Sequence, residues 1–175
     1  TFASPVQIII DDELYTIIEI ANKIDDTAKV AIRVNMDTGI HPQWSRFGFN
    51  YDNGEAWDVL NRIMINDRLE LVGLHAHIGT YIMVSSAYAV AASKLANLAV
   101  RLESKYSHVV KYIDLGGGFA SQNTLRGAYL PGTDTCPSFD DYAEAITGAI
   151  ISSEIKPDNL PTIIMETGRA LIDDA

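Results

Sequence analysis

The chain is poor in cysteine and in basic residues, and it has no long hydrophobic run. Its single cysteine, Cys136, excludes an intrachain disulfide, and a reducing cytosol is the expected setting. Cys136 lies in the Pro/Gly-rich stretch LPGTDTCPS and is read as incidental. Thirteen Lys and Arg stand against 23 Asp and Glu, a net charge of −10. That balance argues against nucleic acid and anionic membrane as partners, because both need basic patches. It leaves room for a small anionic ligand held by one or two local arginines and backbone amides. No apolar run approaches the roughly 18–20 residues of a membrane span. No basic segment followed by an apolar stretch opens the chain, so no secretory signal is expected.

What is present is about one domain's worth of ordinary globular sequence, 175 residues with 47% hydrophobic and 21% charged. It is organised around Tyr112–Phe119, YIDLGGGF. A short apolar strand runs into Gly116, Gly117 and Gly118. Without side chains, their N–H groups can approach a ligand closely, and such a run at a strand end can cradle phosphate. A tight strand–helix turn is the other reading of three glycines.

Apolar β-branched runs predict strands at Val6–Ile10, Lys29–Asn35, Leu69–Ile78, Lys111–Leu115 and Pro161–Glu166. Helical spacing predicts helices from Asp11 or Asp12 to about Lys23, over Glu55–Asn66, over Ser85–Lys105, and from Ser138 to about Ser152. Ser138 and Asp141 make a loose capping box. The loop 36–53 carries SRFGF, and its length points to a functional loop. Alternating strands and helices imply a parallel sheet, either doubly wound or a (β/α) barrel. In the second to fourth strands one face is aliphatic and the other partly polar, which favours the barrel. Polar residues at C-terminal strand ends are where barrel sites lie. Five strands are too few for eight, so the chain reads as part of a longer protein.

The strand ends collect Arg33, His75, His77, Gly116–Gly118, Glu166, Gly168 and Arg169. They offer an anion cradle, guanidinium groups, imidazoles and a carboxylate. His75 and His77, two apart on the expected strand, could ligate a metal with Glu166 or Asp114, but no further Cys or His joins them and no metal is expected. No nucleophile-elbow pattern occurs.

Taken in order, RVN…SRFGF, GLHAHIGT, YIDLGGGF and ETGR resemble the motifs of the fold-type III pyridoxal-phosphate decarboxylases, the diaminopimelate, ornithine and biosynthetic arginine decarboxylase group. The similarity covers nearly the whole chain and is nearest to the diaminopimelate branch. It implies an incomplete (β/α) TIM-type barrel binding pyridoxal 5'-phosphate. It implies that His77 stacks on the pyridoxal ring and that Glu166 pairs with the ring nitrogen. Thr80, Gly116, Gly117, Gly118, Thr167, Gly168 and Arg169 then fall on the phosphate side, with Gly118 the direct contact. Arg169 also meets substrate, and Arg33 and Arg46 are basic positions near the site. Thr167 stands where the family has proline.

The resemblance also implies what to expect outside these residues. The family's cofactor-binding lysine lies on an earlier strand, and none of Lys23, Lys29, Lys94, Lys105, Lys111 or Lys156 suits that role. A C-terminal β-domain and a homodimer partner complete the family's site. The expected activity is decarboxylation of a basic or diamino amino acid by the complete protein, with this chain alone inactive. A racemase barrel, a non-catalytic cofactor carrier and a phosphate-binding pseudoenzyme are the alternatives.

Overall fold

The computed structural model describes residues 7–11, 18–19, 22–23, 27–39, 45–121 and 136–172. In these residues six parallel strands form one layer: β1 (Gln7–Ile10), β2 (Ala28–Asn35), β3 (Phe49–Asn50), β4 (Leu69–His75), β5 (Tyr112–Asp114) and β6 (Thr162–Ile164). Helices α1 (Glu55–Met64), α2 (Ser85–Tyr106) and α3 (Phe139–Ile151) follow β3, β4 and β5, and the short α4 (Gly168–Ile172) follows β6. Most of the helix expected before Lys23, and of the loop after Ala120, lies outside the described residues.

The strand order is β1-β2-β4-β5-β6, with β3 paired to β2 alone. Every pairing is parallel, and the order never reverses. A doubly wound sheet needs a reversal, and right-handed crossovers without one place all helices on the same face. Among the described residues the sheet is therefore barrel-like and is not closed, as the partly polar strand faces and the number of strands lead one to expect.

The helix-facing side of the sheet is the core. Val30, Ile32 and Val34 of β2 and Ile113 of β5 are buried, and they join Leu60 and Ile63 of α1 and Leu95 and Leu98 of α2 in one cluster. Ala91, Ala92 and Ala96 of α2 are also fully buried. Small side chains there let a 22-residue helix lie close to the sheet while α3 packs beside it through Tyr142, Ile146 and Ile150.

Three strand assignments differ from the sequence reading. First, β4 ends at His75, so His77 is not on the strand and does not share a strand face with His75. Second, the register between β2 and β4 slips after Val30, which pairs with Leu71, while Ala31 pairs with Gly73. Val72 is the extra residue of a β-bulge, and one extra residue flips the alternation. Leu71 thus shares the helix-facing side with Leu74, not the side of His75. Third, the loop after β2 contains β3, whose two residues pair with Val34 and Asn35. Strands β5 and β6 are also shorter than expected, leaving Leu115 and Glu166 just beyond them.

Candidate functional site

The register sets a polar row across the open face of the sheet. Arg33 pairs with His75, His75 with Asp114, and Asp114 with Ile164, two residues before Glu166. Paired residues in a parallel sheet project to the same side, so three strands deliver Arg33, His75 and Asp114 in line.

Asp114 is the hub of this row. Its Oδ2 lies 3.0 Å from His75 Nδ1, and its Oδ1 accepts the Gly116 N–H at 2.8 Å. The His75 contact is close, but the buried Nδ1 makes no aligned hydrogen bond. Burial acts most strongly on Asp114 and raises its pKa. The contact with His75 and the Gly116 N–H outweigh burial and hold the carboxyl below its usual range. One ligand atom each from His75, Asp114 and Glu166 lies within 4.8 Å of the other two. This is the grouping that spacing left open for a metal, with His75 in it and His77 outside.

The three glycines are more occupied than free amides. Gly116 donates its N–H to Asp114, and Gly117 donates its N–H to His77 Nδ1 at 3.3 Å. The Gly118 N–H has no hydrogen-bond acceptor among the described residues. Gly118 has φ +89°, and a Cβ there would come within 2.0 Å of the Gly79 carbonyl oxygen. Only glycine permits that approach. The close approach joins the turn after β4 to the turn after β5, and the Ile82 N–H donates to the Gly118 carbonyl at 2.7 Å. Beneath, Tyr88 of α2 donates its hydroxyl to the Gly117 carbonyl at 2.9 Å. Its ring stacks on Phe119, and Tyr142 of α3 closes the cluster edge-on.

His77 is half-buried beside Gly116 and Gly117. Burial first, then the nearby Arg33 and His75, push its pKa down, against a smaller opposing pull from Asp114. Its ring is therefore held neutral, as an acceptor for the Gly117 N–H requires. Thr80 is exposed just beyond. Glu166 is exposed, and its N–H donates to the Gly116 carbonyl at 2.7 Å. Thr167 follows, and Gly168 and Arg169 open α4.

Arg33 lies further along the row. Its guanidinium is 3.5 Å from Asp11 and 5.2 Å from the centre of the Phe47 ring. Arg46 lies over the same ring at 5.4 Å. The SRFGF loop thus places one aromatic ring within reach of two cations. Spacing alone did not reveal Asp11 and Phe47 as the partners of Arg33, nor Tyr88 as the support of Gly117. The aromatic in SRFGF and the tyrosine one turn into an alanine-rich helix were the signals available.

The lysines lie elsewhere. Lys29 and Lys111 sit at the opposite ends of β2 and β5 from Arg33 and Asp114. Lys94 pairs with Asp52, Lys111 with Glu70 and Lys156 with Glu103. Cys136 is half-buried, and its thiol donates to the Ser121 carbonyl at 3.1 Å. Among the described residues, no helix is long and apolar enough to cross a membrane.

Known proteins are similar to this chain in sequence and fold. Residues 3–173 match the family described as pyridoxal-dependent decarboxylase, pyridoxal binding domain. Diaminopimelate decarboxylase of Aquifex aeolicus is 33% identical over 171 residues, which cover 93% of this chain and 37% of that protein. Its counterpart in Bacillus subtilis is 30% identical over 132 residues, covering 75% of this chain and 28% of that protein. The crystal structure of the Helicobacter pylori diaminopimelate decarboxylase, complexed with L-lysine, matches with a TM-score of 0.73 at 25% identity, covering 93% of this chain and 40% of that one. The chain thus spans well under half the length of these relatives. A parallel sheet in barrel order, with its polar row at the C-terminal strand ends and a family match along nearly its whole length, belongs to the pyridoxal-dependent decarboxylases, and this chain carries their pyridoxal-binding domain.

Proposed function

We propose that this chain is the cofactor-binding part of an amino-acid decarboxylase that acts on a diaminopimelate-like, basic or diamino substrate. The carrying observation is the convergence of Glu166, Asp114, His75 and the Gly116–Gly118 turn at one mouth from three different strands.

The residues suit pyridoxal 5'-phosphate by their chemistry. The cofactor needs a carboxylate for its ring nitrogen, a flat neighbour for its ring and N–H donors for its phosphate. Glu166 is an exposed carboxyl at the mouth, His77 a neutral imidazole, and Gly118 an N–H without an internal acceptor among the described residues. When bound, the protonated pyridine ring accepts the electrons released as the substrate's carboxylate leaves. Glu166 would hold a proton on the ring nitrogen through a charge-assisted hydrogen bond. His77 would cover one face of the ring, and its neutrality keeps a second positive charge away from it. Gly116 and Gly117 would fix the turn that offers the Gly118 N–H, with Thr80, Thr167, Gly168 and Arg169 on the phosphate side. Arg169 is also the residue proposed to meet substrate. Arg33, braced by Asp11 and Phe47, would contribute positive potential against the phosphate, with Arg46 near it.

The lysine that binds the cofactor covalently, the β-domain and a homodimer partner are proposed to lie outside this chain, with a reducing cytosol as the setting. A racemase or carrier would share the barrel, and the relatives' names favour the decarboxylase.

The test is an absorbance titration of the complete protein with pyridoxal phosphate. A new band near ~420 nm, suppressed by excess inorganic phosphate, is expected. Its absence, with no phosphate-competed binding, would overturn the reading. Release of carbon dioxide from diaminopimelate, lysine, ornithine and arginine then ranks the substrates.

A further inference from the structure

His75 is buried on the inner side of β4, and the ring-stacking and ring-nitrogen roles fall to other residues. From His75 a continuous path of contacts leads to the ring-nitrogen carboxylate. Its Nδ1 faces Asp114 Oδ2 at 3.0 Å, and Asp114 Oδ1 accepts the Gly116 N–H at 2.8 Å. The Gly116 carbonyl in turn accepts the Glu166 N–H at 2.7 Å. Three contacts link three neighbouring strands: the first and last run between strands, and the middle one stays within the segment that follows β5.

Gly116 is the pivot of this path. It has φ +62°, and a Cβ there would meet the Ala76 carbonyl at 2.7 Å and His77 Nδ1 at 3.0 Å. Its peptide groups on both sides are therefore held by partners as well as by sterics. A carboxylate beside a second carboxyl and a backbone N–H has several orientations available. Oδ1 is the oxygen that faces Gly116, and the imidazole stands behind Asp114 with Nδ1 3.0 Å from Oδ2, close though without an aligned hydrogen bond. Its side chain is 8% exposed, so water does not substitute for it.

We propose that His75 is a positioning residue: through Asp114 and Gly116 it fixes the backbone from which Glu166 reaches the cofactor ring nitrogen. The inference rests on the cofactor reading for its consequence, but its first step can be measured without cofactor.

Three variants of the complete protein test it. His75→Leu fills the site without a polar atom. His75→Asn places an amide nitrogen near the position of Nδ1. His75→Gln places it further out, where Nε2 stood. In cofactor-free protein, hydrogen exchange of the 112–119 segment is expected to accelerate at least tenfold in His75→Leu and to return to within threefold of wild type in His75→Asn, while exchange in α2 is unchanged. The dissociation constant for pyridoxal phosphate should follow the same order, with His75→Gln resembling His75→Leu. Wild-type exchange in His75→Leu, or no recovery in His75→Asn, overturns the proposal. If His75→Leu does not fold, Asp114→Asn and Asp114→Ala decide. Asn keeps an acceptor for Gly116, so it should retain at least threefold more cofactor affinity than Ala, and equal losses overturn the path. Should wild-type protein bind no pyridoxal phosphate, the cofactor reading fails, while the exchange data still judge the path.

Discussion

At the scale of single residues, Asp114 carries the most consequences. Its carboxyl is held below its ordinary value of 3.8 against the opposing effect of burial, by His75 and the Gly116 N–H. A group with a lowered native pKa stabilises the fold above its unfolded value, and that stabilisation disappears as pH falls through the native value. Asp114→Asn removes the titration. The gap in melting temperature between wild type and Asp114→Asn is therefore expected to be largest at neutral pH and to close as pH falls below 3.8. Melting curves from pH 7 downwards check this, and a gap that stays constant would assign the residue a purely steric role. His77 adds a second acid-sensitive contribution. Its pKa is lowered from 6.5, so the stability tied to its neutral form is complete above 6.5 and is lost as pH falls through the lower native value. The two windows are separable because the first persists in His77→Gln.

At the scale of elements, α3 shows how much local sequence decides. Ser138 caps the helix by accepting the Asp141 N–H at 3.1 Å, and Asp141 accepts the Ser138 N–H at 2.7 Å in return. Ser138→Ala removes one half of this box and is expected to cost about 1 kcal/mol, measured as a lower midpoint in urea with an unchanged slope. The spans of α1, α2 and α3, this box and the parallel order were all legible in the sequence, because periodicity and capping are local. The errors lay where pairing between strands decides. Nothing in LELVGLHAHI shows that Val72 is looped out, so alternation alone puts Leu71 on the side of His75 and carries the strand three residues past its observed end. The β3 strand was missed because two residues carry no alternation to read. The site divides in the same way. The strand-end residues could be collected from sequence because each sits at a recognisable strand–turn junction. The role of Asp114 as hub, the Asp11–Arg33 contact and the Tyr88 hydroxyl under Gly117 could not, since each joins segments far apart in the chain.

At the scale of the whole molecule, the site has no local existence. Residues 11, 33, 75, 114 and 166 meet only when β1, β2, β4, β5 and β6 are in register. Site formation and folding are therefore one event, and two kinds of damage should separate cleanly. Leu74 is buried on the helix side of β4, next to His75 but on the opposite face. Leu74→Ala is expected to cost about 2–5 kcal/mol, because a cavity replaces a packed side chain. It leaves the mouth intact, so the folded fraction should bind cofactor with wild-type affinity. Gly118→Ala acts at the mouth, where the new Cβ collides with the Gly79 carbonyl and φ is +89°. It should raise the dissociation constant itself. Linkage gives the measurement: cofactor at ~100 times its dissociation constant stabilises a folded protein by about 2.7 kcal/mol. At one fixed cofactor concentration of that size, wild type and Leu74→Ala should gain this full increment in denaturant titrations, and Gly118→Ala clearly less. Equal increments in all three would place the cofactor away from the Gly79–Gly118 contact.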